Sequence, residues 1–572
     1  MKAKGKRQKA KGKRATKALS FIACAAVRIC QSLVRRQRPV IGSFIFAFCL
    51  LPFAFCLPAA AQTPQGGELS AAARASLDAA VAALQKDALA EAERAARAAI
   101  VASPRSPLTH NVLGVVLDRR GHSDAALAEF DAAIKLDPNF VSARNNIGRL
   151  LAEHGRVKEA IAEFERVLKI DPSSVQAHYN LGALYGDAGD FAQAAEHFAR
   201  ARAAAPGDLQ LALAFLNVAY RAGRTAEADA AADLIERAVH ADARALFTLG
   251  TALALNKQYE RAGRVFAQVN QLKPHTYEVL YDLGVALYNL DHNDEAAGYL
   301  AEAADLNPAP AETHFRLGLI ASAREDRANA VQEFKHAIER QPDNANYHYL
   351  LGREYFRAGF WEGAINEFSR AMAIEPKSTV YVLARADANY RKGEFITAAA
   401  DFDQAAALDP KIESIEYWQG YAHRAAGNFD LARQYLERFL AKQPDHVEAL
   451  ASLGYVAIEQ GRLDDAEPPL KRALTLAPQN VPVLYDYARV AIKRRDYAEA
   501  VARLQRVIEK HPAHTQAFYQ LFLAYTRLKQ PEKAQVALAE FKRLEALEKQ
   551  ASQERIMDDR LRTQQMLGQP QQ

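Results

Sequence analysis

Cysteine is scarce in this sequence and is confined to one end of it. The chain of 572 residues has four cysteines, and all four lie within its first 56 residues: Cys24, Cys30, Cys49 and Cys56. The remainder therefore has no disulfide, no thiol nucleophile and no cysteine-ligated zinc. Any stability of that remainder must come from packing and hydrogen bonding alone.

Motifs for catalysis are also missing. The sequence contains no phosphate-binding glycine loop, no His-Glu-x-x-His motif and no glycine-flanked serine. Its 15 histidines are scattered, and the tightest pair, His511 and His514, falls in a predicted loop without an obvious acidic partner. We therefore predict a protein that is not an enzyme and that holds no metal and no cofactor.

The first 61 residues differ in kind from the rest. Residues 1–39 hold 13 lysines or arginines and no acid, whereas residues 40–61 are apolar and end in Ala59-x-Ala61. This order predicts a secretory signal peptide, and hence an exported protein that is periplasmic or secreted. An N-terminal membrane anchor is the alternative, because an uncleaved apolar run of 22 residues can cross a bilayer. The repeats would then be anchored to the inner membrane outside the cytoplasm.

The charge balance changes sign without this leader. Removing its 13 bases from the 73 in the whole chain leaves 60 bases against 68 acids, a net charge of about −8. A net acidic chain is a poor match for the phosphate backbone, so we predict no binding of nucleic acid.

A period of 34 residues runs through the rest of the chain. Twelve prolines and nine glycines keep this step in two columns. A 34-residue period is the length of one helix–turn–helix unit, and proline suits the start of a helix better than its interior. Glycine would lie where two helices cross closely. Alanine keeps the step without a slip at fourteen positions: Ala92, Ala126, Ala160, Ala194, Ala228, Ala262, Ala296, Ala330, Ala364, Ala398, Ala432, Ala466, Ala500 and Ala534.

These units resemble the tetratricopeptide repeat (TPR) family. One close match is Asn180-Leu181-Gly182-x-x-Tyr185, followed by Gly189, Ala194, Phe198, Ala201 and Pro206. The resemblance implies an all-α fold, a superhelical solenoid of about fourteen 34-residue helix–turn–helix repeats. We predict four segments: 1–61 as signal peptide or membrane anchor, 62–72 as linker, 73–546 as TPR solenoid, and 547–572 as capping helix and frayed tail.

Two prolines conflict with this pattern. Pro468 and Pro469 fall inside a predicted second helix, where proline removes hydrogen bonds and costs about 3 kcal/mol or more. We expect this helix to kink or to start late, and a hinge in the solenoid is the alternative.

An aromatic column marks the candidate binding surface. Stepping by 34 gives Tyr179, Phe247, Tyr281, Phe315, Tyr349, Tyr417, Tyr485 and Tyr519. The resemblance implies that this column faces the concave groove. Further tyrosines and arginines follow one or two helical turns later, Tyr390 and Tyr455 among them. We predict that nine residues bind peptide: Tyr349, Arg353, Arg357, Tyr417, Tyr421, Arg424, Tyr485, Arg489 and Tyr519.

Tyrosine and arginine suit this role because both combine apolar area with directed hydrogen bonds. The arginines would make the stretch locally basic, which favours a partner that carries acidic groups. In the alternative interpretation, the tyrosines pack between repeats and the arginines pair with nearby acids.

The sequence predicts a protein–protein interaction scaffold that binds peptide segments of partner proteins in its groove and acts in envelope assembly. Membrane contact would occur only through residues 40–61, if they stay uncleaved. Two alternatives remain open: a non-catalytic targeting subunit of an envelope enzyme complex, and a structural spacer with no groove ligand.

Overall fold

The computed structural model describes residues 69–566, with side chains described up to residue 554. These residues form 28 α-helices and no strand, arranged along the chain as fourteen pairs. In each pair a first helix leads through a short turn into a second helix. The predicted all-α repeat fold is therefore confirmed. The predicted leader lies outside the described residues.

The chain divides into two compact units, one ending at Tyr299 and the other beginning at Leu300. Unit 1 holds thirteen helices and the first half of the fourteenth. Helices α1–α14 are, in order, Ala71–Gln85, Leu89–Ala102, Pro107–Arg119, Ser123–Leu136, Val141–Glu153, Val157–Ile170, Val175–Asp187, Phe191–Ala204, Leu209–Arg221, Thr225–Ala238, Ala243–Leu255, Tyr259–Leu272, Tyr277–Tyr288 and Asn293–Leu306.

Unit 2 continues the same alternation. Helices α15–α28 are, in order, Ala311–Ala323, Arg327–Arg340, Ala345–Arg357, Trp361–Ile374, Thr379–Lys392, Phe395–Leu408, Ile415–Ala425, Phe429–Lys442, Val447–Glu459, Leu463–Leu476, Val481–Lys493, Tyr497–Lys510, Thr515–Arg527 and Pro531–Met566. No helix within residues 69–566 is both long enough and apolar enough to span a membrane.

A left-handed residue closes all fourteen turns within the pairs. Glycine supplies it in eight turns, with φ of 80° at Gly359, for example. Glycine adopts this conformation without a steric cost, so the periodic turn glycines of the sequence are explained. The other six turns place a residue with a side chain there, at φ between 54° and 64°: Asp87, Lys257, Asp291, Glu325, Arg495 and Lys529.

The small residues of the first helices make room for a large side chain of the second helix. A Cβ atom built on Gly352 would lie 2.7 Å from the ring of Phe368, and one built on Gly318 would lie 2.6 Å from the ring of Phe334. These distances are too short for non-bonded atoms, so a side chain there would force the ring to move. The close helix crossing predicted from the glycine column is confirmed.

The helix that contains Pro468 and Pro469 does not start late. Helix α24 begins at Leu463, before both prolines, and continues to Leu476. Its residues Leu470 and Ala473 are fully buried, so packing of its apolar stripe holds the helix in spite of the missing hydrogen bonds. The expectation of a late start is wrong, because tertiary packing outweighs the local penalty.

The last helix extends beyond the packed repeats. Helix α28 has 36 residues, whereas its burial fades early: Leu544 is 5 % exposed and Leu547 is 52 % exposed. The predicted boundary between residues 546 and 547 therefore falls inside one continuous helix, and Glu548, beyond that boundary, still accepts a hydrogen bond from Thr515 of α27 at 2.6 Å.

Some pairs carry a polar bridge between their two helices and the preceding loop. In α5, Arg144 donates from Nη1 to Glu163 at 3.1 Å and from Nη2 to the carbonyl of Pro138 at 2.9 Å. His348 of α17 has the same two kinds of partner, Glu367 at 2.6 Å and the carbonyl of Pro342 at 2.9 Å. A side chain with two ring or guanidinium nitrogens at this position reaches both the second helix and the preceding loop.

Candidate peptide-binding face

First helices of consecutive pairs touch one another. In unit 2, α21 contacts α23, and α23 contacts α25, besides the second helices that each packs against. Side chains on one side of these first helices therefore form a continuous surface, which we call the first-helix face. All nine residues of the predicted site lie on first helices of unit 2.

Two of the nine predicted residues lie in the core. Tyr349 is 4 % exposed, and its ring lies 5.2 Å from that of Tyr381. Tyr417 is 8 % exposed and lies 4.9 Å from the ring of His446 and 5.4 Å from that of Phe439. Burial raises the pKa of the Tyr417 hydroxyl. These two tyrosines pack between repeats, as in the alternative interpretation, and offer a ligand little surface.

Five other residues stack in a row, which we call the tyrosine–arginine ladder: Tyr390, Tyr421, Arg424, Tyr455 and Arg489. The rings of Tyr390 and Tyr421 are 5.1 Å apart. The guanidinium carbon of Arg424 lies 4.9 Å from the ring centre of Tyr421 and 5.0 Å from that of Tyr455. The guanidinium carbon of Arg489 lies 5.2 Å from the ring centre of Tyr455, so this ring has an arginine on each side.

These stacks join four consecutive first helices, α19, α21, α23 and α25. A guanidinium over a tyrosine ring is attracted to the negative face of that ring, by about 0.5–1 kcal/mol where solvent is near. The ladder therefore holds its own side chains in place before any ligand arrives. A surface ordered in this way loses less conformational entropy when it binds.

Two of the four arginines of the predicted site are paired with acids. Arg489 donates to Asp486 at 2.9 Å and also pairs with Glu459. Arg357 pairs with Glu354 at 2.7 Å and donates to the hydroxyl of Ser322 at 3.0 Å. Carboxylates of the same face therefore neutralise two of the four predicted arginines, and the local basic charge expected from the sequence is reduced by these pairs.

Arg424 differs from these arginines. It has no ion pair with a carboxylate among the described residues, and its Nε is buried without an acceptor in that part of the chain. Asp486 is near enough to sense its charge: burial raises the pKa of Asp486, while Arg489 and Arg424 oppose that rise. Arg424 is thus a cation held between two rings.

The remaining predicted residues lie outside the ladder. The ring of Tyr485 is 4.7 Å from that of His514, and Arg353 lies 5.8 Å from the ring centre of Tyr349. Tyr519 is 37 % exposed and contacts Phe541 of the last helix at 5.2 Å. Of the nine predicted residues, the ladder therefore holds three, Tyr421, Arg424 and Arg489, and the buried Tyr417 lies against it with its ring 5.8 Å from that of Tyr421.

The nine predicted residues omit two ladder tyrosines and both acids that neutralise Arg489. The 34-residue step identifies Tyr455, which lies one repeat after Tyr421, and both Tyr455 and Tyr390 are noted in the sequence without either being included among the nine. The acids are harder to find, since Glu459 precedes Arg489 by 30 residues and their contact depends on how two first helices cross.

The same face of unit 1 carries smaller side chains. Ala183 and Thr251 of unit 1 occupy the register positions of Tyr421 and Tyr455. Arg149, the one arginine at that position in unit 1, is paired with Asp118 and Glu153. Within residues 69–566 neither unit has three or more histidines, cysteines or acids placed to hold a metal ion.

Models of the tetratricopeptide repeat match this sequence in several places. They match residues 111–175, 162–209, 281–345, 315–379, 349–411 and 417–481, and a second model of the same repeat matches residues 483–514. Together these matches cover more than half of the chain. No curated protein matches the sequence.

Solved structures of repeat proteins are similar to parts of the chain. MamA from Desulfovibrio magneticus RS-1 shares 22 % identity over 30 % of this chain and 97 % of its own, with a TM-score of 0.29. YrrB, described as a TPR protein with an unusual peptide-binding site, shares 18 % identity over 33 % of this chain and 98 % of its own, with a TM-score of 0.29. The structure of the APC/C hetero-tetramer Cut9–Hcn1 shares 16 % identity over 82 % of this chain and 93 % of that chain, with a TM-score of 0.32. At these values the assignment rests on the repeat matches.

Proposed function

Because the chain belongs to the tetratricopeptide repeat family, whose members bind protein or peptide partners, we propose that it is a non-catalytic scaffold whose tyrosine–arginine ladder binds a segment of a partner protein. Binding is reversible docking of an extended or helical segment along the first helices of unit 2. The partner segment carries acidic and apolar groups.

The ladder is the observation that carries this proposal. It presents three tyrosine rings and two guanidinium planes from four consecutive repeats, linked by stacking distances of 4.9 to 5.2 Å. Tyrosine and arginine are the residues that most often dominate the energy of protein interfaces, since each buries apolar area and directs hydrogen bonds. A row of such residues follows the direction in which a bound segment would run.

A structural spacer with an unoccupied face is the competing function. The ion pairs of Arg489 and Arg357 favour it, because groups that are already satisfied gain little from a ligand. The two functions differ in one respect: a spacer tolerates loss of the ladder rings, whereas a binding scaffold does not.

The double variant Tyr421→Ala, Tyr455→Ala tests the proposal. Affinity capture from envelope extracts with the wild-type chain should recover a partner that this variant fails to recover, while helical content and melting stay close to those of wild type. The control is Tyr435→Ala. Tyr435 lies on a second helix, outside the ladder, and its ring is 5.6 Å from that of His423. Equal recovery of the partner by both variants would place its binding outside the ladder, and recovery of no partner by the wild type would favour the spacer.

We also propose that the scaffold acts outside the cytoplasm, in assembly of the cell envelope. The basic segment, the apolar segment and Ala59-x-Ala61 support this location. Mass spectrometry of the protein from its native host should then find a mature N-terminus near Gln62. Recovery of residues 40–61 intact in a membrane fraction would instead indicate an anchored protein.

A further inference from the structure

We infer that Arg424 is a receptor for a single acidic side chain of the bound segment. This inference rests on the proposed function and makes it more specific, because it names the residue that selects the partner and the chemical group that is selected. The carboxylate accepts hydrogen bonds from the guanidinium of Arg424 while the flanking rings contact the apolar neighbours of the acidic residue.

The guanidinium of Arg424 has one buried side and one accessible end. Arg424 lies between the rings of Tyr421 and Tyr455, and its Nε is buried and has no acceptor among the described residues. The side chain as a whole is partly exposed. A carboxylate can therefore approach only the Nη end, where two parallel N–H groups match its two oxygens.

The other cations of this face are already occupied. Arg489 is bound by Glu459 and Asp486, Arg357 by Glu354, and Arg391 by Asp387 at 3.4 Å. Binding of a ligand carboxylate to one of them would have to displace an acid of this chain. Arg424 needs no such exchange, so it is the position where charge-assisted hydrogen bonds give the largest net gain.

The surrounding charges favour one carboxylate over a polyanion. Asp486, Glu459 and Asp387 lie on the same face as Arg424, and each opposes the approach of a chain of phosphates. A protein segment with one acid meets the free cation and brings no further negative charge to the neighbouring acids. This comparison favours an acidic peptide over a nucleic acid.

The ladder also continues on both sides of Arg424. Tyr390 and Tyr421 lie before it, and Tyr455 and Arg489 lie after it. A segment that passes through the site contacts rings in both directions, whereas a chain end would leave one half of the ladder uncovered. We therefore assign the carboxylate to an aspartate or glutamate side chain within the segment.

Selected peptides provide the probe. Random peptides displayed on phage are selected for binding to the full chain. One acidic peptide that binds is then synthesised in two forms: one carries the aspartate or glutamate, and the other carries asparagine or glutamine at the same position. Affinities of both forms are measured for the wild type, for Arg424→Gln and for Arg357→Gln. The last variant is the matched control, since Arg357 is a paired arginine of the same face.

The wild type and Arg357→Gln should bind the acidic form about tenfold to a hundredfold more tightly than the amide form. Arg424→Gln should bind the two forms equally. This double-mutant cycle isolates the pairwise contact, because each change removes one of its two partners. Circular dichroism and melting should show that Arg424→Gln remains folded.

Three results would overturn the inference while leaving the proposed function intact, provided that binding is lost in the Tyr421→Ala, Tyr455→Ala variant. In the first, the selected peptides contain no aspartate or glutamate. In the second, the Arg424→Gln variant still binds the acidic form more tightly than the amide form. In the third, the affinity depends on the free C-terminal carboxylate of the peptide and not on an acidic side chain. Peptides that bind the double variant as well as the wild type, selection of no peptide, or capture of oligonucleotides in place of peptides would instead reject the proposed function.

Discussion

Units 1 and 2 share one framework and differ in the face that it displays. Both contain the small residue opposite a buried ring, as at Gly182 with Phe198 and at Gly352 with Phe368, and both close each turn with a left-handed residue. At one register position of the first helices, however, unit 1 has Ala183 and Thr251 where unit 2 has Tyr421 and Tyr455.

This difference separates the residues that specify the fold from those that specify binding. In the framework columns, a Cβ atom added to the glycine would lie less than 3 Å from the large side chain of the second helix. Nearly any substitution there therefore disturbs the pair of helices. The face columns have no such constraint, and a repeat can carry alanine or tyrosine there and keep its hairpin. Function is therefore to be sought in the columns that vary between units.

The largest expected effect separates core tyrosines from face tyrosines within unit 2. Tyr417→Ala removes a buried ring that contacts Phe439 and His446, and we expect a loss of about 3 kcal/mol or more from α21 and α22. Tyr455→Ala should cost about 1 kcal/mol, since it removes only two cation–π contacts. Hydrogen exchange of the two variants measures both losses. Similar losses would show that the ladder is part of the core.

Overpacking the framework tests whether the units are independent. Ala364 is fully buried between helices, and Ala364→Leu should destabilise α17 and α18 by about 1–3 kcal/mol. Because each repeat contacts mainly its neighbours, hydrogen exchange should show loss of protection near these helices and none in unit 1. Cooperative loss of protection in unit 1 would contradict the description of two units.

The turns give a smaller effect that both units should share. Gly359→Ala places a side chain at φ 80° and should cost about 1 kcal/mol, whereas Arg495→Gly relieves the same strain and should stabilise its pair slightly. Thermal melting of the two variants, with the corresponding changes Gly189→Ala and Lys257→Gly in unit 1, measures the signs. Signs that differ between the units would contradict the shared framework.

The smallest effect concerns the response of unit 1 to acid. In α7 and α8, His178 faces His197 at 3.0 Å in place of the glutamate found opposite His348. Burial, and then the charge of His178, hold the pKa of His197 below its ordinary value. The folded state therefore resists protonation of His197, and the stability that this imidazole contributes is complete above about pH 6.5 and is lost as the pH falls below that value.

His197→Glu should remove this acid sensitivity. The new carboxylate would accept a hydrogen bond from the buried His178, as Glu367 does from His348, for a gain of about 1 kcal/mol. Hydrogen exchange of α7 and α8 at pH 5 and pH 8 checks the expectation, with the wild type as reference. An unchanged difference between the two pH values would show that His197 is not its source.

The sequence predicts the framework well because each framework residue is determined by its local conformation or by its place in the 34-residue period. The 34-residue step and the turn glycines need no knowledge of neighbouring repeats. The six left-handed turn residues that are not glycine, such as Lys257 and Arg495, could not be predicted, since packing of the pair imposes a conformation that their own preference opposes.

The candidate site was less predictable, because one column position has several environments. Tyr349, Tyr417 and Tyr519 occupy the same column, yet the first two are in the core and the third is 37 % exposed. Burial depends on what the next repeat places beside each ring: Tyr381 for Tyr349 and His446 for Tyr417. Such contacts between repeats are set by how the helices cross, which periodicity does not give.

Photocrosslinking in the native cell tests the central claim most directly, because it compares one register position in the two units. A photoreactive phenylalanine analogue is placed at Tyr455 of the ladder or at Thr251, its counterpart six repeats earlier in unit 1. If the ladder is the binding surface, irradiation should join a partner protein to the chain labelled at Tyr455 and give little product at Thr251. Crosslinking at Thr251 alone, or equally at both positions, would contradict the assignment of binding to unit 2.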